Sequence, residues 1–206
     1  LLVDRRIYQP FTEKFLRLMD RLVLGDGLDP RVNIGPMVTR AHQQKVLSYI
    51  ETGKQEGAVL ARQLPVPTDG GLENGYFVGP AVFTDVRRDM RIAREEIFGP
   101  VTCIIPFEDE EEAVSIANDT DFGLIAVVFT ENHSRAMRVT RALDTGCVYI
   151  NNFYRLGAQC VPFGGNKASG FGRERCAETL REFSRPKTVR IPSGLGEIPV
   201  WKPCQK

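Results

Sequence analysis

The stretch that decides the fold is VTCIIPFEDEEEAVSIANDTDFGLIAVVFTENHSRAMRVTRALDTGCVYIN, residues 101–151. Apolar segments with the length of buried strands occur in it at residues 101–107, 126–130 and 147–151. Segments with helical spacing separate them at residues 109–118 and 132–144. Because parallel neighbours need long crossovers that helices usually supply, this alternation predicts an α/β fold with a mainly parallel sheet and flanking helices.

The flanking residues extend the same alternation. We predict an amphipathic helix over residues 8–24 that ends at Gly25, and a second helix capped by Thr39. The buried stripe of the second helix is Val46, Leu47 and Ile50. The other predicted elements are a strand at 58–61, an exposed loop at 63–75, extended segments within 76–86, a glycine-rich loop at 157–172, a helix near 174–183 and a terminal strand at 188–191.

The composition is that of a globular chain with balanced charge. Of its residues, 42% are hydrophobic and 26% are charged, and the net charge is +1. That balance gives no electrostatic reason to expect nucleic acid or an anionic membrane as a partner. No apolar run approaches the ~20 residues that span a bilayer. We therefore expect a soluble protein that binds neither nucleic acid nor membrane.

The five cysteines are odd in number, widely spaced and without a CxxC pair. This pattern predicts neither a disulfide framework nor a metal site. The expected compartment is the reducing cytoplasm. The chain opens on Leu1 without an initiator Met, which is typical of a fragment or a processed product.

The motif EEIFGP at residues 95–100 has neither a helical nor a strand period. A carboxylate here could accept hydrogen bonds from ribose hydroxyls, and an aromatic ring could pack on a flat ring. Alternatively, Glu95 and Glu96 only favour a short helix N-terminus through the helix dipole. On these residues alone the second interpretation is the better one, because short motifs often match by chance.

The motif PFGGNKASGFGRE at residues 162–174 combines glycines with charged residues. Glycine permits positive φ and close backbone approach, so this loop is conformationally special. The alternative is a tight structural turn that leads into the next helix.

Together these motifs resemble the aldehyde dehydrogenase superfamily. The match runs in the family's order through DRRIY (4–8), GDGLDP (25–30), IGP (34–36), EEIFGP (95–100), ANDT with FGL (117–124) and the glycine-rich motif (162–174). Several motifs in register over nearly the whole chain form a strong signal. The resemblance implies that residues 1–184 are part of the catalytic domain and that residues 185–206 form an oligomerisation strand and tail. The resemblance also implies that the Rossmann cofactor domain of the family lies outside these residues.

The resemblance implies NAD or NADP as the cofactor. Glu96 matches the glutamate that binds the nicotinamide-side ribose, and Phe98 matches the aromatic that contacts the nicotinamide. Lys45 falls where members have a lysine near the adenine-side ribose, and His42 falls on a neighbouring position that is often Gln or His. For His42, an exposed helical histidine without a ligand is an equal alternative.

The implied substrate is a small aldehyde. Phe163 matches the aromatic that lines the aldehyde tunnel. The loop that shapes the outer part of the tunnel carries Phe153, Tyr154 and Leu156. Core packing is an equal alternative for Phe153, and a helix N-terminal role is one for Glu174, which resembles a family glutamate near the tunnel. Residues 150–153 resemble relatives that act on betaine-type aldehydes and aminoaldehydes.

No catalytic residue is expected in the chain. The family oxidises aldehydes with a cysteine thiolate, a base glutamate and an oxyanion-hole asparagine, and the resemblance places all of these before Leu1. Cys160 lies in the glycine-rich loop and is interpreted as a passive small residue. We therefore predict a chain that is inactive alone and belongs to a homo-oligomer, a dimer or tetramer. The alternative is a non-catalytic remnant or subunit-interaction module of the same fold.

Overall fold

The computed structural model describes residues 1–68, 71–153 and 160–191. The helices are α1 (Tyr8–Met19), α2 (Arg40–Gln55), α3 (Arg91–Arg94), α4 (Glu110–Asn118), α5 (His133–Ala142) and α6 (Ala177–Glu182). The strands are β1 (Leu2–Asp4), β2 (Val59–Gln63), β3 (Ala81–Thr84), β4 (Val101–Cys103), β5 (Ile105–Phe107), β6 (Phe122–Gly123), β7 (Ile125–Val128), β8 (Cys147–Ile150) and β9 (Asn166–Lys167). This alternation confirms the predicted α/β class.

Most of the strand pairing is parallel, as predicted. Among the described strands, β1 pairs with β5, β3 with β4, and β7 with β8 in parallel. The pairs β2 with β3 and β6 with β9 are antiparallel. Helix α5 connects β7 to β8, which is the crossover that a parallel pair needs.

The segment predicted as one strand over residues 101–107 is two strands, so that prediction was wrong. β4 pairs with β3, whereas β5 pairs with β1. Between them, Ile104 is fully buried and its N–H donates to the Phe83 carbonyl at 2.9 Å. The next amide, that of Ile105, donates to the Leu1 carbonyl at 2.8 Å. The segment thus changes its partner strand at Ile104.

Two predicted helix boundaries are also wrong. Helix α1 ends at Met19 rather than at residue 24, because Val23 instead exchanges hydrogen bonds with Asn33, each at 2.9 Å. Helix α6 begins at Ala177 rather than at residue 174, since residue 174 pairs with another loop. Residues 188–191 form no strand within the described chain. Their pairing with a strand of another subunit stays a prediction.

Helix α2 is the element that carries the predicted cofactor residues into place. Thr39 caps it as predicted, because its side chain accepts a hydrogen bond from the His42 N–H. Val46 and Ile50 are buried against Phe83 and the short helix α3, in the larger of two core clusters. The buried stripe therefore fixes which face of α2 points outward. No helix in the described parts has the length and apolar composition of a membrane span.

Candidate functional site

The loop between α3 and β4 presents two of the predicted residues on one side. Ile97 is buried in the core cluster, while its neighbours Glu96 and Phe98 are exposed. Phe98 is 71% exposed and adopts a positive φ of 58°. A bulky residue rarely adopts this conformation, and such strain persists only where the surroundings enforce it. The loop is therefore anchored at its centre and displays a carboxylate and an aromatic ring.

Helix α2 enforces this loop conformation. The His42 Nε2 atom lies 2.7 Å from the Phe98 carbonyl oxygen, and the Lys45 Nζ donates to the Glu96 carbonyl at 3.4 Å. Residues three apart share a helix face, so one face of α2 holds both carbonyls. Gly99 lies directly on the helix, because a Cβ there would come within 2.6 Å of both Val46 methyl carbons. Four predicted cofactor residues thus come together.

Glu95, the first acid of the motif, is engaged in the structure. Its carboxylate accepts two hydrogen bonds from the Arg91 guanidinium, both at 2.8 Å, and a third from the Tyr49 hydroxyl at 2.7 Å. The Arg91 bonds, and then the Tyr49 bond, lower the pKa of Glu95 to about 2. The same bond to Glu95, followed by burial, raises the pKa of Tyr49.

Glu96 is the acid that remains available. Within residues 1–68, 71–153 and 160–191, no side chain forms a hydrogen bond or ion pair with its carboxylate. The two adjacent acids of the motif therefore have different roles. Glu95 stabilises the loop, and Glu96 faces solvent beside Phe98.

The second group of predicted residues is built on the glycine-rich loop. Phe163 and Glu174 form a two-residue antiparallel bridge, with backbone hydrogen bonds of 3.0 and 2.7 Å. Phe163 is half-buried, and the Arg175 guanidinium lies 5.0 Å from the centre of its ring. The Glu174 side chain is exposed. The backbone of Glu174 therefore has a structural role. The helix N-terminal alternative for Glu174 is wrong, because α6 begins only at Ala177.

Close backbone contacts hold this loop against the start of β8. A Cβ on Gly146 would lie 1.7 Å from the Gly164 carbonyl oxygen, so only glycine fits there. The Arg173 guanidinium donates to the carbonyls of Gly165 and Gly172 at 2.9 and 2.7 Å. Glycines and one arginine thus fix the loop that carries Phe163.

The carboxyl ends of β7 and β8 meet through side-chain bonding. The Asn151 side-chain amide exchanges two hydrogen bonds with the Thr130 backbone, each at 2.8 Å. Phe153 follows and is 72% exposed, so the core-packing alternative for Phe153 is wrong. Tyr154 and Leu156 lie outside the described residues. In the described parts, no ring contact or hydrogen bond joins Phe153 to Phe163.

The cysteines in the described part are all free: Cys103, Cys147, Cys160 and Cys176. Burial raises the pKa of Cys103 to about 11, which makes it unreactive at neutral pH. Cys160 is exposed, and no described histidine or cation hydrogen bonds to it. The described residues contain no cluster of three or more metal-ligating side chains.

Sequence reasoning missed three supporting residues: Tyr49, Arg91 and Arg175. A signal existed for Tyr49, because it follows His42 and Lys45 at helical spacing on one face of α2. Arg91 begins the short helix α3, and Glu95 follows it four residues later at the C-cap, which is also a recognisable pair spacing. Arg175 reaches Phe163 only through the backbone bridge, so no spacing predicts it.

Comparison with known proteins identifies relatives over nearly the whole chain. The aldehyde dehydrogenase family matches residues 1–189. An aldehyde dehydrogenase of Monascus ruber, citD, is 52% identical over 203 residues, covering 98% of this chain and 40% of the relative. A betaine aldehyde dehydrogenase of Agrobacterium fabrum is 46% identical over 202 residues, covering 96% of this chain and 40% of the relative.

Solved structures agree with these sequence relatives. The betaine aldehyde dehydrogenase of Staphylococcus aureus in complex with NAD+ superposes with a TM-score of 0.83 at 38% identity, covering 88% of this chain and 36% of that one. An aldehyde dehydrogenase from Bacillus cereus superposes with a TM-score of 0.82 at 39% identity, covering 89% of this chain and 36% of that one. The chain thus spans about 40% of the length of the curated relatives that it matches. It belongs to the aldehyde dehydrogenase family.

Proposed function

We propose that this chain forms the nicotinamide-side wall and part of the substrate tunnel of an NAD(P)-dependent aldehyde dehydrogenase that oxidises an aldehyde to a carboxylic acid. The observation that carries the proposal is the loop around Ile97. It displays Glu96 and Phe98 together, while Glu95 is tied to Arg91 and Tyr49. Sequence relatives and NAD+ complexes of aldehyde dehydrogenases support it.

The displayed residues fit a nicotinamide nucleotide. The unpaired Glu96 carboxylate can accept hydrogen bonds from two ribose hydroxyls, and the exposed Phe98 ring offers a flat apolar face. Lys45 adds a cation on the same side of α2, and His42 holds the Phe98 carbonyl. NAD or NADP, when bound, accepts the hydride that leaves the substrate carbon. The residues of this chain orient that cofactor and contribute no proton or nucleophile.

Phe163 and Phe153 would contribute to the aldehyde tunnel, and Tyr154 and Leu156 would complete its outer part. The Phe163 ring already attracts one cation, because the Arg175 guanidinium lies 5.0 Å from its centre. An aromatic wall of this kind suits an aldehyde that carries a quaternary ammonium group. Relatives named betaine aldehyde dehydrogenases support this substrate class. The exposed Glu174 carboxylate would add a negative charge near the tunnel mouth.

The isolated chain should be inactive. We expect no NADH from the chain with betaine aldehyde and NAD, because none of the residues proposed for the site supplies a thiolate nucleophile, a base or an oxyanion donor. NADH formation in proportion to protein would contradict the proposal. A Cys160→Ala variant would then decide whether that exposed thiol acts as the nucleophile.

A chimera tests the cofactor contacts. The segment of the Agrobacterium fabrum enzyme that this chain matches would be replaced by the chain itself, and the KM for NAD would be measured. Charged hydrogen bonds contribute about 1.5–3 kcal/mol, so Glu96→Gln should raise the KM at least about 10-fold. Glu131→Gln changes an exposed glutamate outside the site and should leave the KM unchanged. Equal effects of both variants would refute the role of Glu96.

We further propose that residues 188–191 pair with a strand of another subunit in a dimer or tetramer. Val189 and Ile191 are 70% and 83% exposed, and residues 188–191 pair with no strand among the described residues, so their backbone groups are available for pairing. Light scattering of the chimera with Val189→Asp should show a smaller assembly than with the control Val38→Asp, which is also exposed. We also propose that the protein is cytoplasmic.

A further inference from the structure

The two proposed walls of the site lie on separate loops. The cofactor loop, residues 95–99, displays Glu96 and Phe98, and the tunnel loop, residues 162–174, carries Phe163. In the described parts of the chain, no hydrogen bond or ion pair joins one loop to the other. Hydride transfer requires the nicotinamide and the aldehyde carbon to lie about 3–3.5 Å apart. The relative position of the two loops therefore depends on a third segment.

That third segment is the end of helix α4, residues 118–120. Asp119 is the C-cap of α4, and its backbone N–H donates to two carbonyls of the last helical turn, at 3.1 and 3.2 Å. The Asn118 side chain donates to the Ala142 carbonyl at 2.8 Å and accepts from the Asp144 N–H at 2.9 Å. Backbone and side-chain bonds thus hold the segment in one position between the ends of α4 and α5.

Asp119 reaches the cofactor loop through two arginines. Its Oδ2 atom accepts hydrogen bonds from the Arg88 guanidinium at 2.9 and 3.2 Å and from the Arg94 guanidinium at 3.0 Å. Arg88 precedes the short helix α3, and Arg94 is the last residue of that helix, directly before Glu95. The bonds from Arg88 and then from Arg94 lower the pKa of Asp119, so its carboxylate is ionised at neutral pH. One carboxylate thus holds both sides of the helix from which the cofactor loop starts.

Lys167 ties the same segment to the tunnel loop. Its Nζ donates to the carbonyls of Asn118 and Thr120, the residues on either side of Asp119, at 3.0 and 3.2 Å. The Lys167 side chain is only 23% exposed, and the residue adopts a positive φ of 54°. A residue other than glycine rarely adopts this conformation, which persists only where the surroundings enforce it. The ammonium group is therefore fixed at the C-terminal end of α4, where the helix dipole favours a cation.

The tunnel loop around Lys167 is itself cross-linked. Strand β9, which contains Lys167, pairs with β6. The Arg173 guanidinium donates to the Asn166 side chain at 2.9 Å, in addition to the two loop carbonyls described above. The next residue, Glu174, forms the backbone bridge with Phe163. A displacement of Lys167 therefore also moves the backbone that carries Phe163.

We propose that Asp119 is a positioning residue for the proposed reaction, because it connects the cofactor loop through Arg94 with the tunnel loop through Lys167. This inference rests on the proposed function, which assigns the two loops to the two reactants. Asp119 touches neither reactant and instead fixes the distance between nicotinamide and aldehyde. The loss of this connection should slow hydride transfer more than it weakens the binding of either reactant.

Steady-state kinetics of the Agrobacterium fabrum chimera described above test the role of Asp119. Asp119→Asn keeps the shape of the side chain and removes its charge. A misplacement of 1 Å can cost about 100-fold in rate, so kcat should fall about 10- to 100-fold. The KM values for NAD and betaine aldehyde should change by less than about 3-fold. The isotope effect with betaine aldehyde deuterated at the aldehyde carbon should increase, because hydride transfer becomes rate-limiting. An unchanged kcat, with or without a higher KM, would overturn the proposal.

Asp89→Asn is the matched control. Asp89 lies in the same segment before α3, and in the described chain its carboxylate pairs only with the Arg87 guanidinium, at 3.1 Å. This variant should leave kcat and the isotope effect unchanged, and a loss equal to that of Asp119→Asn would overturn the proposal.

Variants of Lys167 test the other side of the connection. Lys167→Met should lower kcat as Asp119→Asn does, whereas Lys167→Arg should retain most of the activity, because a guanidinium can also donate to both carbonyls. The double variant Asp119→Asn with Lys167→Met should be no slower than the slower single variant, since both break one connection. Losses that multiply in the double variant would overturn the proposal.

Hydrogen exchange of the chain alone tests the connection without turnover. The Glu95 N–H donates to the Arg91 carbonyl at 2.9 Å, at the end of α3. Lys167→Met should speed the exchange of this amide at least about 5-fold, because α3 loses the fixed position of Asp119. Amides of the central strand β3 should keep their rates. An unchanged rate at Glu95, or an equal increase in β3, would overturn the proposal. A folded but inactive chimera contradicts only the proposed function, because the exchange at Glu95 still decides whether the connection exists.

Discussion

The contact between Gly99 and Val46 makes a quantitative prediction about the loop that displays Glu96 and Phe98. Gly99→Ala would place a methyl group 2.6 Å from both methyl carbons of Val46. Favourable carbon contacts lie at about 3.5–4.0 Å, so one group must move by roughly 1 Å. Val46 cannot yield easily, because it is completely buried in α2 and a β-branched residue has one preferred rotamer in a helix.

Overpacking of this kind typically costs about 1–3 kcal/mol of the free energy of unfolding. For a chain of this size each kcal/mol corresponds to about 2–4 °C, so the melting temperature should fall by about 2–12 °C. Val46→Ala alone removes two methyl groups and should cost at least about 1.6 kcal/mol. In the double variant the new methyl occupies part of the vacated space. The combined loss should therefore be smaller than the sum by about 0.5–3 kcal/mol.

Urea and thermal unfolding followed by circular dichroism measure these losses. Gly27→Ala is the matched control, because a Cβ at Gly27 meets nothing within 4 Å. It should change stability by no more than about 0.5 kcal/mol. The reasoning is refuted if Gly99→Ala behaves like this control, or if the effects of Gly99→Ala and Val46→Ala are simply additive.

The remaining predictions concern acid stability, thiol reactivity and helix capping. The pKa of Glu95 is about 2 in the folded chain, below the ordinary value of 4.5. The contribution of its ionised form to the stability of the fold is therefore complete above pH 4.5 and is lost as the pH falls towards 2. Glu95→Gln should remove this part of the acid dependence of the urea midpoint, and an unchanged profile would contradict the reasoning. Tyr49→Phe should weaken the same acid dependence, because one of the bonds that favour the ionised form is lost. Iodoacetamide at pH 8 should label Cys160 much faster than Cys103, because Cys160 is exposed and the pKa of Cys103 is about 11. Equal labelling rates in mass spectrometry would be inconsistent with the burial of Cys103. Thr39→Ala should cost about 1 kcal/mol in thermal unfolding, because it removes the cap of α2; Thr39→Ser should retain most of the stability.

Patterns of one or two helical turns were readable from the sequence. Thr39, the predicted cap of α2, accepts the backbone hydrogen bond that its residue type predicts, and Asp109 and Asn132 accept the equivalent bonds at the starts of α4 and α5. Alternating strands and helices predicted the α/β class, and the order of the motifs predicted the family. These features depend on residues that are close in the sequence, so they can be predicted from the sequence alone.

The candidate site was only partly readable in the same way. His42, Lys45, Glu96 and Phe98 were named from the family resemblance, but the residue pattern of the EEIFGP motif by itself does not distinguish Glu95 from Glu96. Only the folded chain brings Arg91 and Tyr49 to one carboxylate and leaves the other exposed. The difference between Glu95 and Glu96 depends on how α3 packs against α2.

The sequence by itself therefore determined the element types, the helix caps and the residues of the motifs, because these follow from local periodicity and backbone chemistry. Tertiary structure alone decided that residues 101–107 change partner at Ile104 and that Phe163 pairs with Glu174. Each of these outcomes depends on which backbone groups meet across long separations in the chain. That choice is set by packing and by the satisfaction of buried hydrogen bonds, which no local pattern encodes.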